Sequence, residues 1–219
     1  MAYRQTERVA RKLAARREAI LAAAYETLAE NGIAAVQIAP VAERAGIAIG
    51  TVYRYFPSKT ELVAAVVTGL AGDEIAALGR AAAHAPGPLS ALAAALATFA
   101  VRAMARRRLV LALVADPAEP ELTEALASYR WAIAAELEKL IRNALENGQL
   151  QQQDAALAAP ALIGALIEGL IGPLAPGTAP DDFDAMRAQA QRFTLLALRA
   201  LGVTDARARG LVVQTVVQV

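Results

Sequence analysis

An all-α fold is what this sequence predicts: a small N-terminal three-helix helix-turn-helix domain followed by a larger helical domain. Three observations carry the prediction. Alanine, which loses no side-chain entropy in a helix, supplies 56 of the 219 residues. Apolar residues recur at three- and four-residue spacing, while strand-like alternation is scarce; only VVQTVVQV at the C-terminus gathers β-branched residues. Finally, residues 32–62, GIAAVQIAPVAERAGIAIGTVYRYFPSKTEL, read as two short helices about a glycine turn, with an aromatic and basic exit into a further helix.

The elements follow in order. Ile20, Leu21, Ala24 and Leu28 mark a first helix from about Arg16 to Asn31, and Gly32 can take a left-handed cap. A second helix spans about Ile38 to Ala45, Gly46 turns the chain, and a third covers about Ala48 to Tyr55 before Pro57. Ser58-Lys59-Thr60-Glu61 has the form of a capping box, in which the serine oxygen accepts from the Glu61 amide and the carboxylate reaches back. It opens a long fourth helix to about Arg80. A Pro/Gly loop at 84–88 precedes helices expected at about 88–104, 106–115, 120–147, 155–172 and 181–201, separated by Asp116-Pro117, Asn147-Gly148, Pro173 and the loop from Pro176 to Pro180. The tail after Thr204 reads equally as a short docked helix or as disorder. The expected organisation is a basic arm over 1–15, the helix-turn-helix domain over 16–60, and a ligand-binding and dimerisation domain over 61–219.

Composition narrows the function. Residues 1–60 hold nine Lys/Arg against five Glu, whereas the remainder is mildly acidic. A basic end on an acidic body is the electrostatic footprint of DNA binding through one module. The most apolar stretch, from Ala155 to Ala175, is interrupted by Pro160, Glu168 and Pro173, and a spanning helix needs about 20 apolar residues with few charges. No membrane partner is therefore expected, and the charged N-terminus, without an apolar signal core, points to the cytoplasm. With one histidine, no cysteine, no phosphate loop and no nucleophile elbow, the expectation is a non-enzyme without metal or cofactor.

Within the motif, Ile38, Val41, Ala42, Ala45, Ile47, Val52 and Phe56 are the candidate core of the small domain. That leaves the third helix's other residues to divide between a DNA major groove and its support. Gly50 lets the backbone approach closely, Thr51 can meet a base edge or a thymine methyl, and the hydroxyls of Tyr53 and Tyr55 can donate to phosphates. Lys59 stands in the first turn of a helix whose dipole also attracts a phosphate. The basic arm, Arg4 to Arg17, is either a solvated tail or a backbone-following DNA contact.

At this point the sequence resembles the TetR family of one-component transcriptional regulators. The resemblance is carried by AERAGIAIGTVYRYFPSKTEL and the preceding ILAAAYETLAENGIAAVQI, and it is strong over residues 16–63. It implies about nine helices, a homodimer on double-stranded DNA with a palindromic operator, and a small-molecule effector held in the larger domain. Effector binding would shift the fourth helix and separate the two heads, usually relieving repression. By position, Gly50, Tyr53, Tyr55 and Lys59 fall where the family contacts DNA, with Thr51 beside them. Three positions depart from the pattern: Gln37 stands where a threonine is common, Ala48 where a serine is usual, and Ile49 where a lysine is frequent. Losing the serine cap costs about 1 kcal/mol. Losing the lysine removes a phosphate contact, although Ile49 can pack on a thymine methyl instead.

For the larger domain, Leu162, Leu166 and Leu170 on one helix and Met186 and Phe193 on the next are the candidate dimer interface, a four-helix arrangement about a two-fold axis. Small residues, Ala161, Gly164, Ala165 and Gly169, permit close approach. Part of the same stripe can equally be core within one chain. Phe99, Arg102, Tyr129, Trp131 and Glu168 are the candidate contacts for an apolar or amphipathic effector, with His84, Arg130 and Glu136 as further polar groups. The trio Arg106-Arg107-Arg108 reads as a solvated helix start. The competing function is a helical ligand-binding dimer that has lost specific DNA binding.

Overall fold

A computed structural model of the chain describes residues 2–114, 120–177, 179 and 182–215, with side chains from Arg8 onward. Asp116-Pro117, the Arg4 side chain and the last four residues lie outside the described residues. Among those described, the chain is helical throughout and has no strand. It divides into two compact units: residues 1–69 with 112–128, and residues 70–111 with 129–219.

In the first unit α1 spans Ala2–Asn31, α2 Ile38–Ala45 and α3 Ile49–Tyr55, and α4, Lys59–Ala83, begins there. α1 starts well before Arg16, where apolar periodicity begins. Its first half is built from Arg, Lys, Glu, Leu and Ala, all good helix formers, and residues 8–18 are exposed on every side. Propensity makes this segment helical, and without a buried face it carries no periodic signal. Ile20, Ala24 and Leu28 of α1 meet Val41 and Ala42 of α2, Val52 of α3, Phe56, and Leu62 and Val63 of α4 in one buried cluster. Ala45 and Ile47 sit half-buried at its edge. Gly46 ends α2 at φ 65°, with Ile47 N–H donating to the Ala42 carbonyl at 3.0 Å, a left-handed closure that favours glycine. Arg17 lies over the Phe56 ring at 5.5 Å, and Arg44 reaches Glu30 of α1 at 2.6 Å, holding the Glu30 carboxyl below its ordinary pKa chiefly through that hydrogen bond. Of the expected capping box, only one half forms: Glu61 N–H donates to Ser58 Oγ at 3.1 Å, and no return bond from the carboxylate is present among the described residues.

The second unit holds the rest of α4, then α5 (Pro88–Ala105), α6 (Arg107–Val114, shared with the first unit), most of α7 (Thr123–Glu146), α8 (Ala155–Leu166), α9 (Phe183–Ala200) and α10 (Asp205–Gln214). α5 is its central element, buried without interruption from Ala91 to Val101, and it packs chiefly on α9. α4 and α5 are long and apolar enough to cross a membrane by composition, but 78% of the α5 window is buried in the protein itself, as in a core helix. Asp154 caps α8 by accepting from the amides of Ala156 and Leu157, and Asp182 caps α9 through Ala185.

α8 does not run as one regular helix. It widens into a π-turn over Ile167–Ile171, where Gly172 N–H reaches back five residues to the Ile167 carbonyl at 2.6 Å. Arg107 closes that end, donating from Nε to the Ile171 carbonyl at 2.8 Å and from Nη2 to Gly172 at 3.0 Å. The expected solvated arginine trio is therefore corrected at Arg107, which is half-buried and caps the π-turn. The open reading of the tail resolves to α10, anchored by Ala208 and Val212 and by Asp205, which binds both Arg199 and Arg209.

Candidate nucleic-acid interface and effector core

The small-domain core fixes which side of α3 stays in solvent. Val52 points inward and Phe56 seals the helix exit, both essentially inaccessible. The outward positions are then Ala48, Ile49, Gly50, Tyr53 and Arg54; Ile49 is 47% exposed and Tyr53 49% exposed. A β-carbon added to Gly50 would find no heavy atom within 4 Å, so this backbone is open to anything that approaches. Thr51 is half-buried beside it. Lys59 opens α4 two residues beyond Pro57 and is half-buried.

Gln37 and Tyr55 are placed differently from expectation, whereas Ala48 lacks a cap as its residue type implied. Ala48 offers no side-chain cap to α3, and Gln37 turns its amide back to the Ala34 carbonyl at 3.0 Å. The Tyr55 hydroxyl is enclosed and has no hydrogen-bond partner among the described residues. In this conformation it supports the fold of the exit and does not face a phosphate. The surface that could touch a duplex is therefore Ile49, Gly50, Thr51, Tyr53 and Lys59, with the exposed Gln37 backbone and side chain at one edge. Arg8, Lys12, Arg16 and Arg17 lie exposed along α1 as part of a helix, which replaces the flexible tail that was one of the two expectations.

In the second unit the structure gathers a polar cluster inside apolar packing. Arg102 of α5 directs Nε at both carboxylate oxygens of Glu74 on α4, at 2.9 and 3.0 Å, and the two side chains are only 13% and 6% exposed. Tyr129 lies beside them, 5% exposed, and Phe99 is buried one turn along α5. Burial works against the Arg102 charge, but the hydrogen bond and charge of Glu74 outweigh it and raise its pKa. Burial first, then the Glu74 charge, pushes the Tyr129 phenol up, against the pull of Arg102 and Arg106. The sign of the consequence follows. An unfolded chain releases this proton near pH 10.0, whereas the folded chain keeps it to higher pH. Stability is therefore full below about pH 10 and lost as pH rises beyond it. Thermal melts between about pH 9 and 11 should show a shallower alkaline loss for Tyr129→Phe than for the unaltered chain; equal slopes would contradict the assignment.

Thr98 belongs to the same α5 surface as Arg102, one turn away. It is 1% exposed and its hydroxyl has no partner among the described residues. Thr27, Thr68, Thr194 and Thr215 each donate to the carbonyl four residues back, and Thr98 does not. An orphaned buried hydroxyl costs about 1–3 kcal/mol. Of the five expected effector contacts, Arg102 and Tyr129 come together, and Phe99 is buried on α5 three residues before Arg102. Trp131 is 65% exposed, because a residue two places from Tyr129 faces another side of α7. Glu168 is exposed on the π-turn. Both are thus outside the cluster. The expected dimer stripe is also placed elsewhere: Leu162, Leu166, Leu170, Met186 and Phe193 are all buried within their own chain. The face of α8 left open carries Leu157, Ala161, Gly164, Ala165 and Gly169, with Leu196 exposed on α9.

Comparison with known proteins decides the origin of the head. Residues 20–66 match the family model described as "Bacterial regulatory proteins, tetR family". Over that stretch the chain is similar to the TetR family. The HTH-type transcriptional repressor KstR of Mycolicibacterium smegmatis is 52% identical over 48 residues, and KstR of Rhodococcus jostii likewise, each stretch being 22% of this chain. The chain thus spans about a quarter of the length of the curated relatives it matches. Solved structures extend the likeness to the whole fold. RolR in complex with resorcinol superposes with a TM-score of 0.67 at 24% identity, over 95% of this chain and 98% of that one. SmeT bound to triclosan gives 0.66 at 25% identity, over 85% and 91%.

The residues of the buried cluster that sequence reasoning missed are Glu74 and Thr98. A signal for the first was available. Leu70, Glu74 and Leu78 follow at four-residue steps, so one carboxylate interrupts an apolar row of α4. Thr98, short and set among alanines, carries no comparable mark.

Proposed function

We propose that this chain is a ligand-responsive transcriptional regulator that represses by occupying a palindromic operator as a homodimer in the cytoplasm. The observation that carries it is the exposed row of α3, with Gly50 bare and Ile49 and Tyr53 outward on a head whose core is closed by Val52 and Phe56. A helix presented in this way enters a major groove, and Lys59 at the start of α4 anchors it to a phosphate. Pairing through the open face of α8, where Leu157, Ala161, Gly164, Ala165 and Gly169 allow close approach, and through Leu196 of α9, would double the head and its specificity. An apolar or amphipathic effector held near Phe99, Arg102 and Tyr129 would act through α4, which runs unbroken from Lys59 to Ala83. The sense of the regulation follows the KstR repressors, whose heads this one resembles.

A second reading, a ligand-binding dimer without specific DNA binding, is favoured by the enclosed Tyr55 hydroxyl and by Ile49 at an outward position. Fluorescence anisotropy on duplexes flanking the chain's own gene separates the two. Regulation predicts binding that weakens steeply with salt, and Lys59→Ala should flatten the slope of log K against log salt by about one unit. A folded dimer with no binding at low salt would favour the second reading.

A further inference from the structure

We infer that the second unit carries a ligand site at the junction of the α4–α5 turn with α10, built for an uncharged amphipathic molecule bearing a hydroxyl. A cavity of about 340 Å³ opens there, within the range of small-molecule sites. Along α5 its lining residue nearest the buried ion pair is Ala94, eight residues before Arg102, so at about 1.5 Å per residue the cavity ends roughly 12 Å short of that pair, and neither Glu74 nor Arg102 lines it. It therefore goes beyond the effector contacts above and does not depend on DNA binding.

The chemistry of the lining names the ligand class. His84, Ser90, Gln214 and Thr215 supply the polar groups, and alanine methyls with Leu211 supply the apolar wall. Among the described residues no Lys, Arg, Asp or Glu lines the cavity, so a charged ligand would be desolvated there without a full counter-charge. His84 Nδ1 lies 2.7 Å from the Arg80 carbonyl, which can only accept. The proton is thus on Nδ1, and in the neutral ring Nε2 is left as an acceptor. Thr215 has already given its hydroxyl proton to the Leu211 carbonyl at 2.8 Å, so it too is left to accept. The side chains of Ser90 and Gln214, on α5 and α10, make no hydrogen bond among the described residues. A ligand hydroxyl can donate its one proton to His84 Nε2, while Ser90 and Gln214 can donate to its oxygen.

A second observation points the same way. Ser90, Ala94 and Thr98 succeed one another at four-residue steps on one row of α5. The cavity takes in the first two, and Thr98 holds the unpartnered, buried hydroxyl one turn further in.

His84 is the single histidine of the chain, so its ring nitrogens report on this cavity alone. The test is a proton–nitrogen NMR titration of the intact protein with 2-naphthol, and with 2-naphthoate as its charged counterpart, in the absence of DNA. The expected result is a saturable shift of His84 Nε2 with 2-naphthol, and binding of 2-naphthoate at least about tenfold weaker. Ala94→Phe, which fills the cavity, should abolish the shift. Ser90→Ala with Gln214→Ala, which changes little volume, should weaken binding at least about fivefold while leaving the thermal midpoint near that of the unaltered chain. No saturable shift with 2-naphthol, equal or tighter binding of 2-naphthoate, or unaltered affinity in the Ser90/Gln214 double variant would each overturn the assignment.

Discussion

Gly50→Glu is expected to fold as well as the unaltered chain and to bind DNA at least about 100-fold more weakly, roughly 3 kcal/mol. Both halves of that expectation come from one position. Gly50 lies in the first turn of α3, exposed, with open space where a side chain would begin. Replacing a helical glycine at an unobstructed site loses no contact and gains up to about 1 kcal/mol of helix propensity. In a complex the same space is where the backbone must meet the duplex, and a carboxylate there adds repulsion from phosphates to the steric obstruction. Gly50→Ala should fall between, at about tenfold. Urea denaturation would follow the first half and anisotropy the second. Gly50→Glu binding as tightly as the unaltered chain would remove α3 from the interface.

Breaking the Glu74–Arg102 pair is expected to have the largest effect on stability. Arg102→Leu leaves a carboxylate that is 6% exposed with no cation, and Glu74→Leu leaves a guanidinium that is 13% exposed with no anion. Each single change should cost about 3–5 kcal/mol, because the remaining charge has lost its water and its partner alike. The double variant, Glu74→Leu with Arg102→Leu, should return to within about 1 kcal/mol of the unaltered chain or exceed it, since Leu70 and Leu78 already flank position 74 with apolar side chains. The coupling read from urea midpoints would thus be several kcal/mol. Additive single losses would mean that the two charges do not depend on one another, contrary to the geometry.

What was legible in the sequence divides along physical lines. The α2–α3 turn was, because a left-handed residue is needed at position 46 and glycine is there at φ 65°. So was the start of α4, because a serine oxygen aimed at the Glu61 amide is a local signal, although the return carboxylate bond did not form. The extension of α1 to Ala2 was not, since an exposed helix has no apolar rhythm. α8 misled for the opposite reason. Both of its faces are apolar, so spacing alone could not tell the leucines at 162, 166 and 170, which fill the protomer's core, from Leu157 and the small residues on the open side. Partners across helices were beyond the sequence altogether. Nothing near position 102 indicated a carboxylate 28 residues earlier, and Trp131 was grouped with Tyr129 although helical geometry sends them to different sides.

The most direct measurement of the central claim is selection of bound sites from random duplex DNA by the full-length protein at low salt. An inverted repeat should emerge, with half-sites about one helical turn apart or a multiple of it, and Gly50→Glu should fail to enrich it. Folded protein that enriches no sequence, or that enriches the same repeat with glutamate at position 50, would contradict it.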